Sequence, residues 1–139
     1  MASETLYTPD ILGLATGLAE YPWSDDLPLR ADARSKSCGS AISLAAAVDE
    51  SGAITKVGVK SQACAIGQAA AALFANSAAG ARLSGIEDTL DALELWLAEG
   101  GPVPDWPGIV ILDKARAYPA RHGAIKLPWQ AATRLLFSE

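Results

Sequence analysis

Residues 29–60 read LRADARSKSCGSAISLAAAVDESGAITKVGVK, and this stretch decides the fold. In its first part Leu29, Ala31, Ala33, Ser35 and Ser37 alternate with Arg30, Asp32, Arg34 and Lys36. Successive side chains of a strand point to opposite faces, so the alternation predicts a strand with one buried and one solvated face. A turn holding Cys38, Gly39 and Ser40 follows. Ile42, Leu44, Ala46 and Val48 then alternate with Ser43, Ala45 and Ala47 as a second strand. Asp49-Glu50-Ser51-Gly52 is a turn by composition. Thr55, Val57 and Val59 alternate with Lys56, Gly58 and Lys60 as a third strand. Connections this short predict a three-stranded antiparallel meander.

After Lys60 the apolar period lengthens to that of a helix. One helix is expected near residues 63–79, with Ile66, Ala70, Leu73 and Ser77 on one face and a stop near Gly80. Ser84-Gly85-Ile86-Glu87 reads as a capping box, a serine followed three residues on by a glutamate. The helix behind it gathers Ile86, Leu90, Leu93 and Leu97 in one stripe, with its acids elsewhere. Gly100-Gly101-Pro102 ends it. Residues 102–107 form a rigid loop, and a short helical stretch covers 108–117. The last helix is expected over 125–136, where Pro128 fits only in the first turn. Ahead of the strands, residues 5–20 read as a short helix opened by Pro9 and Asp10, and 21–28 as a loop. A helix, three strands and then a run of helices is the α+β pattern. The whole of 1–139 is read as one domain, with helices on one face of the sheet, burying the even positions of the second strand.

Composition removes several function classes. The chain has 139 residues, a length suited to one core. With 16 acidic against 11 basic residues its net charge is −5, so no basic footprint is available for nucleic acid. The apolar runs 41–48 and 69–75 are far short of the ~20 residues that span a membrane. Met1 is followed by Ser3, Glu4 and Thr5 rather than by the basic segment of a signal peptide. Two cysteines build no disulfide framework. A cytoplasmic location is expected. There is no glycine-rich phosphate loop and no serine nucleophile elbow, and a single histidine is available as a general base. Enzyme readings of these kinds therefore do poorly.

The thiols and imidazole are Cys38, Cys64 and His122. Cys38 lies in the first hairpin turn and Cys64 where the third strand meets its helix. Strands one and three run parallel in a meander, so both turns belong to the same end of the sheet. A thiol at a helix N-terminus sees unpaired N–H groups that favour the thiolate. A free cysteine also serves as a small buried hydrophobe, and His122 alone is a weak signal. Gly39 after Cys38 allows a tight turn that aims the sulfur outward. Lys114, Arg116, Arg121 and Lys126 either favour a thiolate or meet an acidic partner or, the blander account, form a solvated face.

These residues carry a resemblance. Ser35-Lys36-Ser37-Cys38-Gly39-Ser40 is similar to the Cys-Gly-Asp turn of the IscU/NifU/SufU iron–sulfur cluster assembly scaffolds. Ala63-Cys64-Ala65-Ile66-Gly67-Gln68, running into alanines, resembles their second-cysteine motif, and the 25 residues between the cysteines suit the family. Arg121-His122-Gly123-Ala124-Ile125-Lys126-Leu127-Pro128-Trp129 resembles the third motif, nearest to that of the SufU branch. Two positions depart from the pattern: Ser40 stands in place of the acid and Ala124 in place of the third cysteine.

The resemblance implies a SufE/NifU-like α+β fold and a cargo of iron or a labile [2Fe–2S] cluster on Cys38 and Cys64. His122 would be a third ligand, with Lys36, Ser40 and Ala124 around it. It implies a cysteine desulfurase and acceptor apoproteins as partners. A homodimer would supply four thiolates, the usual complement of a [2Fe–2S] cluster. The alternatives are a zinc-bound, SufU-like sulfur acceptor and a metal-free interaction module, which the changes at positions 40 and 124 favour.

Overall fold

The meander forms with the expected topology. In the computed structural model, which describes residues 8–36 and 39–137, strands β1 (Leu29–Arg34), β2 (Ala41–Val48) and β3 (Ile54–Gln62) make one antiparallel sheet in that order. Its register sorts the side chains into rows. Ala33–Ile42–Ser61, Ala31–Leu44–Val59 and Leu29–Ala46–Val57 share the inner face. Arg34–Ala41–Gln62, Asp32–Ser43–Lys60 and Arg30–Ala45–Gly58 share the outer one. Ile42, Leu44 and Ala46 are 4%, 1% and 1% exposed, so the even positions of β2 do face the core.

The helices are α1 (Pro9–Gly17, continued by a 3-10 turn Leu18–Glu20), α2 (Ala65–Asn76), α3 (Leu83–Glu99) and α4 (Pro119–Phe137), with a 3-10 stretch Ile109–Ala117 before α4. α4 packs on β1 and β2 and touches α2 and α3, while α1 lies on α2. Among the described residues no helix is long and apolar enough to cross a membrane.

Four boundaries and faces differ from the periodicity reading, each for a physical reason. α1 starts at Pro9 because Thr8 caps it, its Oγ accepting the Ile11 N–H at 3.3 Å; residues 5–7 lie outside the described residues. α2 is buried all round rather than on one face, since Ile66, Gly67 and every residue from 69 to 75 is buried. Its alanines let α1, α4 and β3 approach from several sides. α3 starts one residue before Ser84, so the serine caps nothing and Arg82 is the N-cap. The preceding Ala81 is bound to β3, its carbonyl accepting the Ile54 N–H at 2.8 Å, and this tie sets where the helix starts.

α4 starts six residues earlier than expected and carries Pro128 in its interior. An interior proline removes one helical hydrogen bond and costs about 3 kcal/mol. The burial of Ile125, Trp129, Ala132 and Leu136 at helical spacing outweighs that cost. Trp129 meets the rings of Phe74 and Trp106 edge-on, with centroids 5.6 and 5.5 Å away, and those two rings stack on each other at 5.5 Å. Trp106 donates its Nε1–H to the Leu73 carbonyl at 2.9 Å.

The stretch read as a plain loop is a strap. Val59 N–H donates to the Tyr21 carbonyl at 2.9 Å, and Pro22 bridges Val59. The chain then crosses the outer face above Gly58, where an added Cβ would stand 2.7 Å from the Pro22 carbonyl oxygen. Gly58 and Ala45 are small because this backbone lies on them.

The turn between β2 and β3 is closed by a carboxylate. Asp49 accepts from Ser51 N–H at 2.9 Å, Ser51 Oγ at 2.7 Å and Ala53 N–H at 3.1 Å. Arg82 Nη2 donates to the same Ser51 hydroxyl at 3.0 Å. The Ser51 hydroxyl first, then the Ala53 amide, holds the Asp49 carboxyl below its ordinary value of 3.8.

Candidate functional site

The segments that hold the two sequence-predicted cysteines leave the sheet at the end away from the β2–β3 turn. Its last cross-strand row is Arg34–Ala41–Gln62. From this row the chain leaves β1 into the hairpin turn and leaves β3 into α2. The turn is closed by the Ser35 N–H donating to the Ser40 carbonyl at 2.8 Å and the Gly39 N–H donating to the Ser35 carbonyl at 3.1 Å. Gly39 has φ +71°, a left-handed conformation that any residue with a Cβ resists. Ser35 and Ser40 are buried, and Lys36 is exposed. Cys38 lies outside the described residues.

Cys64 is the N-cap of α2, in extended conformation, and half-buried against the core. Its side chain accepts no hydrogen bond from the first turn. Its carbonyl takes the Gln68 N–H at 2.9 Å, and Gln68 Nε2 donates back to the Ala63 carbonyl at 3.0 Å, fixing the joint between β3 and α2.

One turn further on, α2 meets α4. A Cβ added to Gly67 would lie 2.7 Å from the Ala63 Cβ and 3.4 Å from the Ala124 Cβ. Fully buried Ala124 therefore sits against the first turn of the helix that Cys64 caps. The signal available in the sequence was Gly67 itself, an expensive residue inside a helix unless a close approach requires it.

His122 lies inside the first turn of α4 rather than before the helix. Its Nε2 is 2.8 Å from the Arg116 carbonyl oxygen. A carbonyl can only accept, so Nε2 carries the proton and the neutral ring has its lone pair on Nδ1. Metal-binding histidines are held by the same kind of bond. Among the described residues no three His, Cys, Asp or Glu side chains cluster to hold a metal ion. Of the neighbouring basic residues, Arg116 and Lys126 have carboxylate partners in their own chain. Arg116 pairs with Asp113 at 2.8 Å and lies over Trp96, and Lys126 reaches Glu94 at 3.8 Å.

No protein-family model matches this sequence, and no curated protein matches it significantly. Solved structures do. The N-terminal part of a nitrogen-fixing NifU-like protein from Brucella abortus superposes with a TM-score of 0.83 at 25% identity, over 99% of this chain and 96% of that one. A protein of Fervidobacterium islandicum, assigned as an iron–sulfur cluster assembly scaffold for the SUF system, gives 0.84 at 19% identity, over 96% and 98%. The chain thus has the NifU/SufU-like α+β fold along nearly its whole length.

Proposed function

We propose that this chain is a scaffold-type carrier in iron–sulfur cluster assembly, holding iron or a labile [2Fe–2S] cluster as cargo on Cys38 and Cys64. The observation that carries this reading is the convergence of the hairpin turn and the β3–α2 joint on one row of the sheet, within a fold shared with the NifU-like and SUF-system proteins. Two thiolates and the Nδ1 lone pair of His122 are three of the roughly four donors a single iron or zinc ion takes. A [2Fe–2S] cluster takes four thiolates, so two chains would share one. The role is binding and transfer, with a cysteine desulfurase as sulfur source and acceptor apoproteins as destination. A zinc-bound sulfur acceptor is the weaker form, because the position of the third thiol is Ala124. The metal-free interaction module is the reading of another class, and Ser40 and Ala124 in place of the acid and the third thiol favour it.

Anaerobic reconstitution with iron and sulfide separates these readings. Expected are roughly one iron per chain, a visible charge-transfer band and a dimeric loaded species, since one [2Fe–2S] would lie between two chains. Cys38→Ala and Cys64→Ala should each abolish uptake. Iron on a chain that stays monomeric removes the shared cluster. Zinc at about one per chain without colour favours the sulfur acceptor. No uptake of either metal, with both variants behaving like wild type, leaves the interaction module.

A further inference from the structure

The outer face of the sheet is covered unevenly. The strap of residues 22–27 lies on the Arg30–Ala45–Gly58 row. The two rows nearest the cysteine end, Asp32–Ser43–Lys60 and Arg34–Ala41–Gln62, are uncovered and line a groove of about 530 Å³. Its floor is small, with Ala41 and Ser43 from the middle strand. Its walls are long cations: Arg34 on β1, Lys60 on β3 and Arg134 reaching from α4, where Nη1 donates to the Asp32 carbonyl at 2.7 Å. Asp32 is the one acid in the lining. Among the described residues neither Arg34 nor Lys60 forms an ion pair with a carboxylate. Lys60 Nζ lies 4.6 Å from the Trp23 ring centroid, so the strap stands beside the lysine wall of the groove.

This concentration of positive charge is unexpected in a chain of net charge −5. Five of the 16 acids, Glu87, Asp88, Asp91, Glu94 and Glu99, gather on α3, while Asp25 and Asp26 stand on the strap. Neighbouring strands lie ~4.8 Å apart, so a groove walled by β1 and β3 is about 10 Å wide, the width one extended chain fills. We propose that this groove docks an extended, acidic segment of a partner protein, its carboxylates paired with Arg34, Lys60 and Arg134. Charge complementarity selects that occupant: a concave site with three cations and one acid attracts negatively charged chains, while the acids of α3 repel them. The groove opens beside the cysteine turn, so a docked partner would lie next to the proposed cargo. The docking itself rests on the groove's own charges and not on metal uptake, and metal-free protein tests it.

The probe is a fluorescein-labelled deca-glutamate peptide, followed by anisotropy and by amide shift perturbation. Expected are shifts at Ser43, Ser61 and Gln62, and binding that weakens at least about tenfold between 50 and 300 mM salt, as screening requires. The double variant Arg34→Gln/Lys60→Gln should lose about tenfold or more in affinity, with an unchanged unfolding midpoint. Lys56→Gln/Lys114→Gln removes as many charges outside the groove and should change affinity less than about twofold. Arg134→Lys should retain most of the binding, which separates the charge from the bond to Asp32. Equal losses in the two double variants, shifts mapping to another face, or equally tight and equally salt-sensitive binding of a ten-nucleotide oligothymidylate would overturn the proposal. Peptide-independent self-association lost in Arg34→Gln/Lys60→Gln would assign the groove to α3 of a second copy instead.

Discussion

The two hairpin turns of the sheet solve the same geometric problem with different chemistry. The β2–β3 turn gathers its loose N–H groups onto the Asp49 carboxylate and ties itself to Arg82 through Ser51. The β1–β2 turn has a glycine at φ +71° and backbone bonds between Ser35, Gly39 and Ser40, and a serine stands where the resembling family has an acid. One end of the sheet is closed by a charge that serves folding. The other keeps its turn free of a carboxylate and brings a helix cap, Gly67 and α4 up to it. Turns are where binding residues concentrate, and the turn without a closing carboxylate is the one proposed to carry cargo.

The contrast can be broken most forcefully at the site end. Gly67→Val would drive side-chain atoms into Ala63 and push α4 from α2, at a cost of about 1–3 kcal/mol in a denaturant titration, the usual range for overpacking. If it costs nothing, α2 and α4 are not held together there. Ala124→Cys is next. It restores a thiol on the fully buried position that faces the bare side of Gly67. Iron retention against a chelator should rise about tenfold, equivalent to ~1.4 kcal/mol, with little change in stability. Unchanged retention would mean position 124 is not among the ligands.

Smaller effects sharpen the comparison. Gly39→Ala and Gly52→Ala each place a Cβ on a left-handed backbone, φ +71° and +85°, with open space around it. Each should cost about 1 kcal/mol by thermal unfolding, but only the first should lower iron uptake. The smallest effect is Asp49→Asn. The folded-state pKa of Asp49 is lowered, so its stabilising contribution is present at neutral pH and is lost as pH falls through and below the ordinary value of 3.8. Stability measured from pH 6 down to pH 2 should fall less steeply in the variant than in the wild type. Parallel curves would show that the carboxylate is not what closes this turn.

The sheet and the identity of its inner face were legible because strand alternation is a local property, visible in Leu29–Lys60 without knowledge of the rest. The resemblance in the cysteine motifs pointed to the observed fold for the same reason. What was not legible depended on distant partners. The start of α3 follows from Ala81 binding Ile54, the strap from Tyr21 binding Val59, and the length of α4 from a core that overrides a proline. The site shows the same division. The place of Cys64 at the head of α2 could be read from the change of period. The anchoring of His122 by Arg116 and the contact of Ala124 with Gly67 could not, because each joins segments that only the fold brings together.

Pro128 has one more effect. Having no N–H, it leaves the Ala124 carbonyl without its partner one turn on, so the ladder of α4 lacks a rung between the two halves of the helix. The half after the gap is bolted to Phe74 and Trp106 through Trp129. The half before it carries Arg121, His122 and Ala124. The missing rung therefore falls between the segment that carries His122 and the segment held in the aromatic core, at the point where a helix bends most easily.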